Sequence, residues 1–264
     1  MQSRYLVIDI GNTNIEIGIY TDRGFICSWR LGSNTSLTED EYYAILRSLS
    51  GEHQIKLQDI EICCIASVVP ELTRIFEHLF EKYLSSSLIK VTPYTPLGLT
   101  FPVDDPGFIG ADLVVNAYAA WQKYGSNCLV CDFGTATTIQ LVGADGHFYG
   151  TVIAPGVIIS STNLIQRASL LTKIQLETPQ RTLGTNTRDA LLSGIIKGHS
   201  YMVDSFIRQL KKEYAHLREL KVILTGGIAH LLKMNLEEET ILDKTLTIDG
   251  LYRICLQHVK QVND

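Results

Sequence analysis

The sequence predicts an α/β protein built from two similar domains. Three observations carry this expectation. A plan of strand, small polar turn, two further strands, then helices and more strands occurs twice along the chain. The stretch Val7-Ile8-Asp9-Ile10-Gly11-Asn12-Thr13 returns as Val130-Cys131-Asp132-Phe133-Gly134-Thr135, with the two aspartates 123 residues apart. That interval is too long for a solenoid period, and 264 residues accommodate two domains of ordinary size. The expected division is 1–122 and 123–264, with any ligand held where the two domains face each other.

Each element has a local reason. Residues 4–10 form a short apolar strand, broken by the turn chemistry of Gly11-Asn12-Thr13-Asn14. Ile15, Ile17 and Ile19 alternate with Glu16 and Gly18, which is strand periodicity. Asp22-Arg23-Gly24 turns the chain into a third strand, 25–31, so the opening is an antiparallel meander. Thr38 and Glu41 make a capping box for a helix over about 39–50. A buried strand follows at 60–67, then a helix opened by Pro70 with Leu72, Ile75, Phe76, Leu79 and Phe80 at helical spacing. Residues 88–91 are a short strand. Pro93, Pro96, Pro102 and Pro106 exclude a continuous helix over 92–109, so that span is an ordered loop. A helix occupies 111–123.

The second half repeats the plan. Strands are expected at 127–133, 138–142 and 147–153, with turns at Gly134-Thr135-Ala136-Thr137 and Asp145-Gly146. Pro155-Gly156 precedes a helix over about 157–167. A polar stretch, 173–186, leads into a long helical pattern from 187 to about 214. Residues 221–225 form a strand ending in Gly226-Gly227, a short helix follows, and 249–262 is an amphipathic helix.

Composition removes several classes. Lys and Arg number 23 against 28 Asp and Glu, and a net charge of −5 gives little of the phosphate attraction that drives general nucleic-acid binding. No apolar run approaches the ~20 residues of a membrane-spanning helix. Asp9 interrupts the N-terminal apolar stretch, which is wrong for a signal peptide. A soluble cytoplasmic protein is expected. The six cysteines are scattered, and Cys128-x-x-Cys131 lacks the second pair a zinc site needs, so all six read as buried reduced thiols. The seven histidines, none paired at ligand spacing, read as surface or core residues. No Walker loop, Gly-x-Gly-x-x-Gly, His-Glu-x-x-His or Gly-x-Ser-x-Gly occurs.

The remaining chemistry lies in the two matched turns. In Asp9-x-Gly11-Asn12-Thr13, glycine lets backbone N–H groups approach a phosphate, and Asn and Thr add neutral donors. The carboxylate would repel phosphate directly and is better suited to a metal or its waters. Two such turns at a domain cleft are suited to clamp the two ends of a triphosphate. Thr225-Gly226-Gly227 offers bare backbone to a flat ring or a phosphate. Asp112, in Gly110-Ala111-Asp112 at a helix start, has a cap or dipole partner as its plain reading, with a part in chemistry left open.

Taken in order, Asp9-x-Gly-Asn-Thr13, Ser67-Val-Val-Pro70, Gly110-Ala-Asp112, Asp132-Phe-Gly-Thr-Ala-Thr-Thr138, Pro155-Gly156, Gly184-Thr-Asn-Thr187 and Thr225-Gly-Gly227 resemble the motif series of type III pantothenate kinases. The resemblance spans nearly the whole chain. It implies duplicated ribonuclease H-like domains of the acetate/sugar kinase–Hsc70–actin superfamily, with ATP between them. It also implies a homodimer and the first step of coenzyme A synthesis, in which ATP phosphorylates the primary hydroxyl of pantothenate. It assigns ATP contacts to Asp9, Ile10, Gly11, Asn12, Thr13, Asn14, Ile15, Glu16 and Thr135. Asp112 becomes the catalytic proton acceptor. Asp132 becomes the ligand of a monovalent cation, potassium or ammonium, beside the magnesium that accompanies ATP. Gly110, Ala111, Asp112, Leu113 and Thr187 become pantothenate contacts.

Three positions depart from the pattern. Leu113 stands where the family carries arginine, Val103 where a tyrosine is usual, and Gln140 where an aspartate is usual. Leucine cannot grip the substrate carboxylate, so weak pantothenate use is expected unless another cation reaches it. Two other readings stay open on the residues alone: a paralogue acting on another small alcohol, and a nucleotide-binding regulator without kinase activity. Retention of Asp112 argues against the regulator, which needs no base.

Overall fold

A computed structural model describes residues 3–102, 105–167 and 175–263. The chain forms two compact units, Met1–Ala119 with Leu246–Asp264, and Ala120–Thr245.

In the first unit the meander forms as expected: β1 (Arg4–Ile10), β2 (Asn14–Thr21) and β3 (Gly24–Gly32) pair antiparallel. β4 (Ile62–Ser67) then pairs parallel with β1, and β5 (Ser87–Lys90) parallel with β4, giving the order β3-β2-β1-β4-β5. Alternation sorts the faces. Leu6, Ile8 and Ile10 of β1 and Ile15, Ile17 and Ile19 of β2 are fully buried in one core with Leu46, Leu72, Phe76 and Leu79. Those last four come from α1 (Glu39–Glu52) and α2 (Pro70–Tyr83), which carry them at helical spacing. Thr38 and Glu41 make the reciprocal capping box of α1. α2 has no side-chain cap, and Pro70 at its start and its apolar face hold it instead.

The opposite face of this sheet receives α8 (Leu246–Asn263), which packs on β1, β2 and β4. Gly18, Val7 and Cys64 form one row across β2, β1 and β4. A Cβ at Gly18 would lie 2.8 Å from Cγ2 of Ile248, so only glycine admits the helix this closely. Tyr20 Oη donates to Asp249 (2.8 Å) and Tyr252 Oη to the Thr21 carbonyl (2.8 Å), with the Tyr20 and Tyr252 rings stacked at 4.4 Å. α8 also meets α3 (Ala111–Tyr124) at Gly250, where a Cβ would come within 2.8 Å of Ala119. The expected division at 122/123 therefore needs correction. The C-terminal helix, assigned to the second domain, belongs to the first unit because its apolar face is buried there.

The second unit repeats the topology. β6 (Cys128–Phe133), β7 (Ala136–Val142) and β8 (Phe148–Pro155) form the meander, while β9 (Lys221–Thr225) and β10 (Ile241–Leu242) add parallel on the other side of β6. The order β8-β7-β6-β9-β10 matches the first sheet strand for strand. The two-residue β10 has no periodicity to read and was not expected. α4 (Val157–Arg167) follows β8. The long helical pattern is observed as α5 (Thr187–Leu192), a π-helical turn (Ser193–Lys197) and α6 (Gly198–Glu213), and α7 (Ala229–Lys233) follows β9. Leu129, Cys131, Phe133, Ile139, Ile196, Val203, Ile207 and Leu224 form the core.

All six cysteines are buried free thiols. Burial pushes the Cys128 thiol up to about 11 and the Cys131 thiol up to about 12, which keeps both protonated near neutral pH. Among the described residues no helix is long and apolar enough to cross a membrane.

Candidate active site

In the first unit the site residues gather where β1 and β4 end, the edge at which parallel strands present ligands. Asp9 lies opposite Glu16 on β2 and Ala66 on β4. The following turn is closed by the Gly11 N–H to the Asn14 carbonyl (3.0 Å) and anchored by the Ser33 N–H to the Thr13 carbonyl (3.0 Å). Asn12 and Thr13 are left exposed. Ile10 and Ile15 are fully buried, so within 9–16 they act as core anchors and only their backbone remains for a ligand. Glu16 also faces Arg30 on β3; burial raises its carboxyl pKa above the ordinary value, and the guanidinium offsets only part of that rise.

The Ser67–Pro70 motif is fastened to the same strand end. The Val68 N–H donates to the Ile10 carbonyl (3.1 Å), and Ser67 Oγ accepts from Val69 N (3.2 Å) and from Thr73 Oγ1 (2.7 Å). Beside it stands Gly110, where a Cβ would meet Val68 Cγ1 at 3.4 Å and collide with the Asp112 carboxylate. Asp112 is thus held at the first turn of α3, next to the ends of β1 and β4. Its Oδ1 accepts from the Leu113 N–H (2.8 Å). Burial raises the Asp112 pKa above the ordinary carboxylate value, partly offset by N–H donation from residues 112 and 113. A carboxylate that binds protons more readily than usual is a better base.

Leu113 is 5% exposed and Ala111 7%. Both side chains pack inward, so at these positions only backbone remains for a ligand. An arginine at 113 would have to bury its guanidinium in this core. Leu113→Arg is therefore expected to cost about 3–5 kcal/mol of stability, as an unpaired buried charge does. Chemical denaturation of wild type and variant checks this, and the expected result is a lower midpoint for Leu113→Arg. Val103 lies outside the described residues. Gln140 is buried at mid-strand in β7, between Val130 of β6 and Thr151 of β8.

In the second unit Asp132 lies opposite Thr138 on β7 and Thr225 on β9. Its turn is closed by the Gly134 N–H to the Ala136 carbonyl (3.1 Å). Two glycines let neighbouring segments close over it. Gly226 has φ +92°, and a Cβ there would lie 2.5 Å from Asp132 Oδ1 and 2.6 Å from Phe133 N. A Cβ on Gly156 would lie 2.7 Å from the Gly134 carbonyl and strike that of Thr135. So the β6–β7 turn, the start of α4 and the β9–α7 turn meet at one place. Thr187 opens α5 at an exposed position, behind the Asn186 cap, whose Oδ1 accepts from Asp189 N (2.9 Å).

Thus Asp9–Glu16 and Gly110–Leu113 belong to the first unit, and Asp132, Thr135 and Thr187 to the second. Among the described residues no three His, Cys, Asp or Glu side chains gather as a metal cluster. A single carboxylate among hydroxyls and carbonyls, as at Asp132, Thr138 and Thr225, is instead the donor chemistry of a hard cation that keeps other oxygen ligands.

Sequence reading missed His199. Its Nε2 is 2.9 Å from Thr137 Oγ1, and its ring meets Phe133 edge-on at 6.3 Å. Only the fold brings residues 62 positions apart together.

The type III pantothenate kinase family model matches residues 5–209. A type III pantothenate kinase of Halalkalibacterium halodurans is 40% identical over 254 residues, covering 96% of this chain and 99% of the relative. That of Exiguobacterium sibiricum is 37% identical over 246 residues, covering 93% and 96%. Among solved structures, component A of the (R)-2-hydroxyglutaryl-CoA dehydratase of Acidaminococcus fermentans superposes with a TM-score of 0.58 at 15% identity, covering 99% of this chain and 100% of that one. MreB5 of Spiroplasma citri, bound to ADP, gives 0.57 at 9%, covering 99% of both. These two similarities concern the fold, which is the duplicated architecture described above.

Proposed function

The chain belongs to the type III pantothenate kinase family and so transfers a phosphoryl group from ATP to the primary hydroxyl of pantothenate; on that footing we propose that Asp112 is the proton acceptor and Asp132 the cation ligand. The observation that carries the proposal is the setting of Asp112: a partly desolvated carboxylate with a raised pKa, at a helix start beside the ends of β1 and β4. Phosphoryl transfer needs the acceptor hydroxyl oriented and its proton taken, more than it needs covalent help. Asp112 supplies both, with the Leu113 N–H fixing its carboxylate at Oδ1.

Beyond the Gly11 and Gly134 N–H groups that close them, the Gly11–Asn14 and Gly134–Ala136 turns carry Asn12, Thr13 and Thr135, whose polar groups are suited to phosphate oxygens. Asp9 and Glu16 flank the first turn, and Thr135 lies within the second. Thr187 and the backbone of Gly110–Leu113 serve pantothenate. Asp132 would hold potassium or ammonium, and Asp9 the waters of magnesium. Such cations supply positive charge between carboxylate and phosphate, which otherwise repel. A homodimer in the cytoplasm completes the reading. Ile153, Ile158 and Ile159 stand 64%, 52% and 42% exposed near the β8–α4 junction, an apolar group suited to a second copy.

ATP consumption measured with and without pantothenate, in potassium and then in sodium, tests this reading. Stimulation by pantothenate in potassium is expected, with Asp132→Ala losing the preference between the two salts. Equal rates in both salts for the wild type would remove the cation role of Asp132. ATP consumption indifferent to pantothenate would remove the acceptor.

A further inference from the structure

We infer that His199 is a positioning residue for the nucleotide-binding turn of the second unit, an inference that rests on the reading above. Phe133 and Thr137 face each other across β6 and β7 and are the last paired residues before the turn that carries Thr135. Both are 1% exposed. His199 touches both, through the 2.9 Å hydrogen bond to Thr137 Oγ1 and the ring edge against Phe133. The imidazole therefore buttresses both arms of the turn from its core side, while Gly156 and Gly226 let backbone close over it.

The helix that delivers His199 is itself irregular. The π-helical turn Ser193–Lys197 ends two residues before it. An inserted residue rotates everything after it relative to α5, and such bulges concentrate at functional sites. Ser193, within the bulge, donates through its Oγ to the Thr182 carbonyl, and Ser200, beyond it, donates to the Ile196 carbonyl inside it (2.9 Å). Burial holds the His199 pKa below its ordinary value, which keeps the ring neutral and able to donate or accept toward Thr137.

The test is ATP affinity by calorimetry in potassium, alongside steady-state kinetics. Losing one buried neutral hydrogen bond corresponds to about 2- to 12-fold. His199→Ala is expected to weaken ATP binding by about that factor and to raise the KM for ATP likewise. The KM for pantothenate and kcat should stay near wild type. His199→Gln, whose amide reaches the place of Nε2, should recover most of the affinity. Thr137→Val removes the hydroxyl from the other side and should give the same loss, with no further loss in the double variant. It also serves if His199→Ala fails to fold. Unchanged ATP affinity in folded His199→Ala or Thr137→Val overturns the inference. So does a fall in kcat with affinity intact, or a loss that His199→Gln does not repair. Because calorimetry reads the turn without turnover, failure of the kinase reading would show separately, as a wild type that binds ATP but ignores pantothenate.

Discussion

Asp112→Asn is expected to lower kcat by about 10²–10⁴-fold, the usual cost of removing a general base, while leaving the fold at least as stable as wild type. The second half of the expectation distinguishes a base from a cap. Burial raises the Asp112 pKa, so the ionised carboxylate is less stable in the folded chain than in the unfolded one. A group whose folded pKa is raised contributes stability that is fully present below its unfolded pKa and lost as pH rises through its folded pKa. At neutral pH Asp112 therefore costs stability, and a neutral amide of the same shape relieves that cost. The substituted amide keeps an oxygen for the Leu113 N–H, so the helix start survives. The activity of the wild type has the opposite sign, since the base must be ionised. Its kcat/KM should fall as pH drops through a pKa above the ordinary value for aspartate. Steady-state kinetics and a thermal melt on the same preparation check both halves. Near wild-type turnover, or a marked drop in melting temperature, would make Asp112 a helix cap.

Gly226→Ala is expected to abolish ATP binding and to cost roughly 2–5 kcal/mol, combining backbone strain with overpacking. The strain comes from φ +92°, which an L side chain rarely adopts. The overpacking comes from the backbone of Phe133, 2.6 Å from the new Cβ at N and 2.7 Å at C, which cannot yield without moving β6. Asp132 Oδ1, at 2.5 Å, would be pushed aside as well. Gly125 provides the control. Its φ is +56° and nothing lies within 4 Å of a Cβ there, so Gly125→Ala carries strain alone, about 1–2 kcal/mol. Denaturant midpoints for the two variants, with calorimetric ATP titration, separate the terms. A Gly226→Ala protein as stable as Gly125→Ala and still binding ATP would refute the close approach.

Features coded locally were legible in the sequence. The capping box of Thr38 and Glu41, the strand alternation of Ile15, Ile17 and Ile19, the Pro70 helix start and the two matched aspartate turns each occupy a few residues. The features that depend on packing were not. The C-terminal helix looks like part of the second half until Gly18 is seen to admit it against the first sheet and Gly250 against α3. The π turn at Ser193–Lys197 has the same apolar spacing as the helices on either side of it. Leu113 sits in a motif and reads as a pocket residue, but α3 turns it into the core. His199 carries no local signal, because its partners Phe133 and Thr137 lie on β6 and β7, with Thr137 placed 62 positions earlier in the chain.

The most direct test is the identity of the product. Pantothenate has one primary and one secondary hydroxyl, and they label a phosphate differently. The wild-type enzyme is incubated with ATP, magnesium, potassium and pantothenate, and the phosphorus spectrum is recorded with proton coupling. Transfer to the primary hydroxyl predicts a new phosphomonoester signal split into a triplet by the adjacent CH₂, with an equal amount of ADP. Asp112→Asn should give the same signal at a rate lower by about 10²–10⁴-fold. A doublet, inorganic phosphate in place of the ester, or an undiminished rate in the variant would contradict the account.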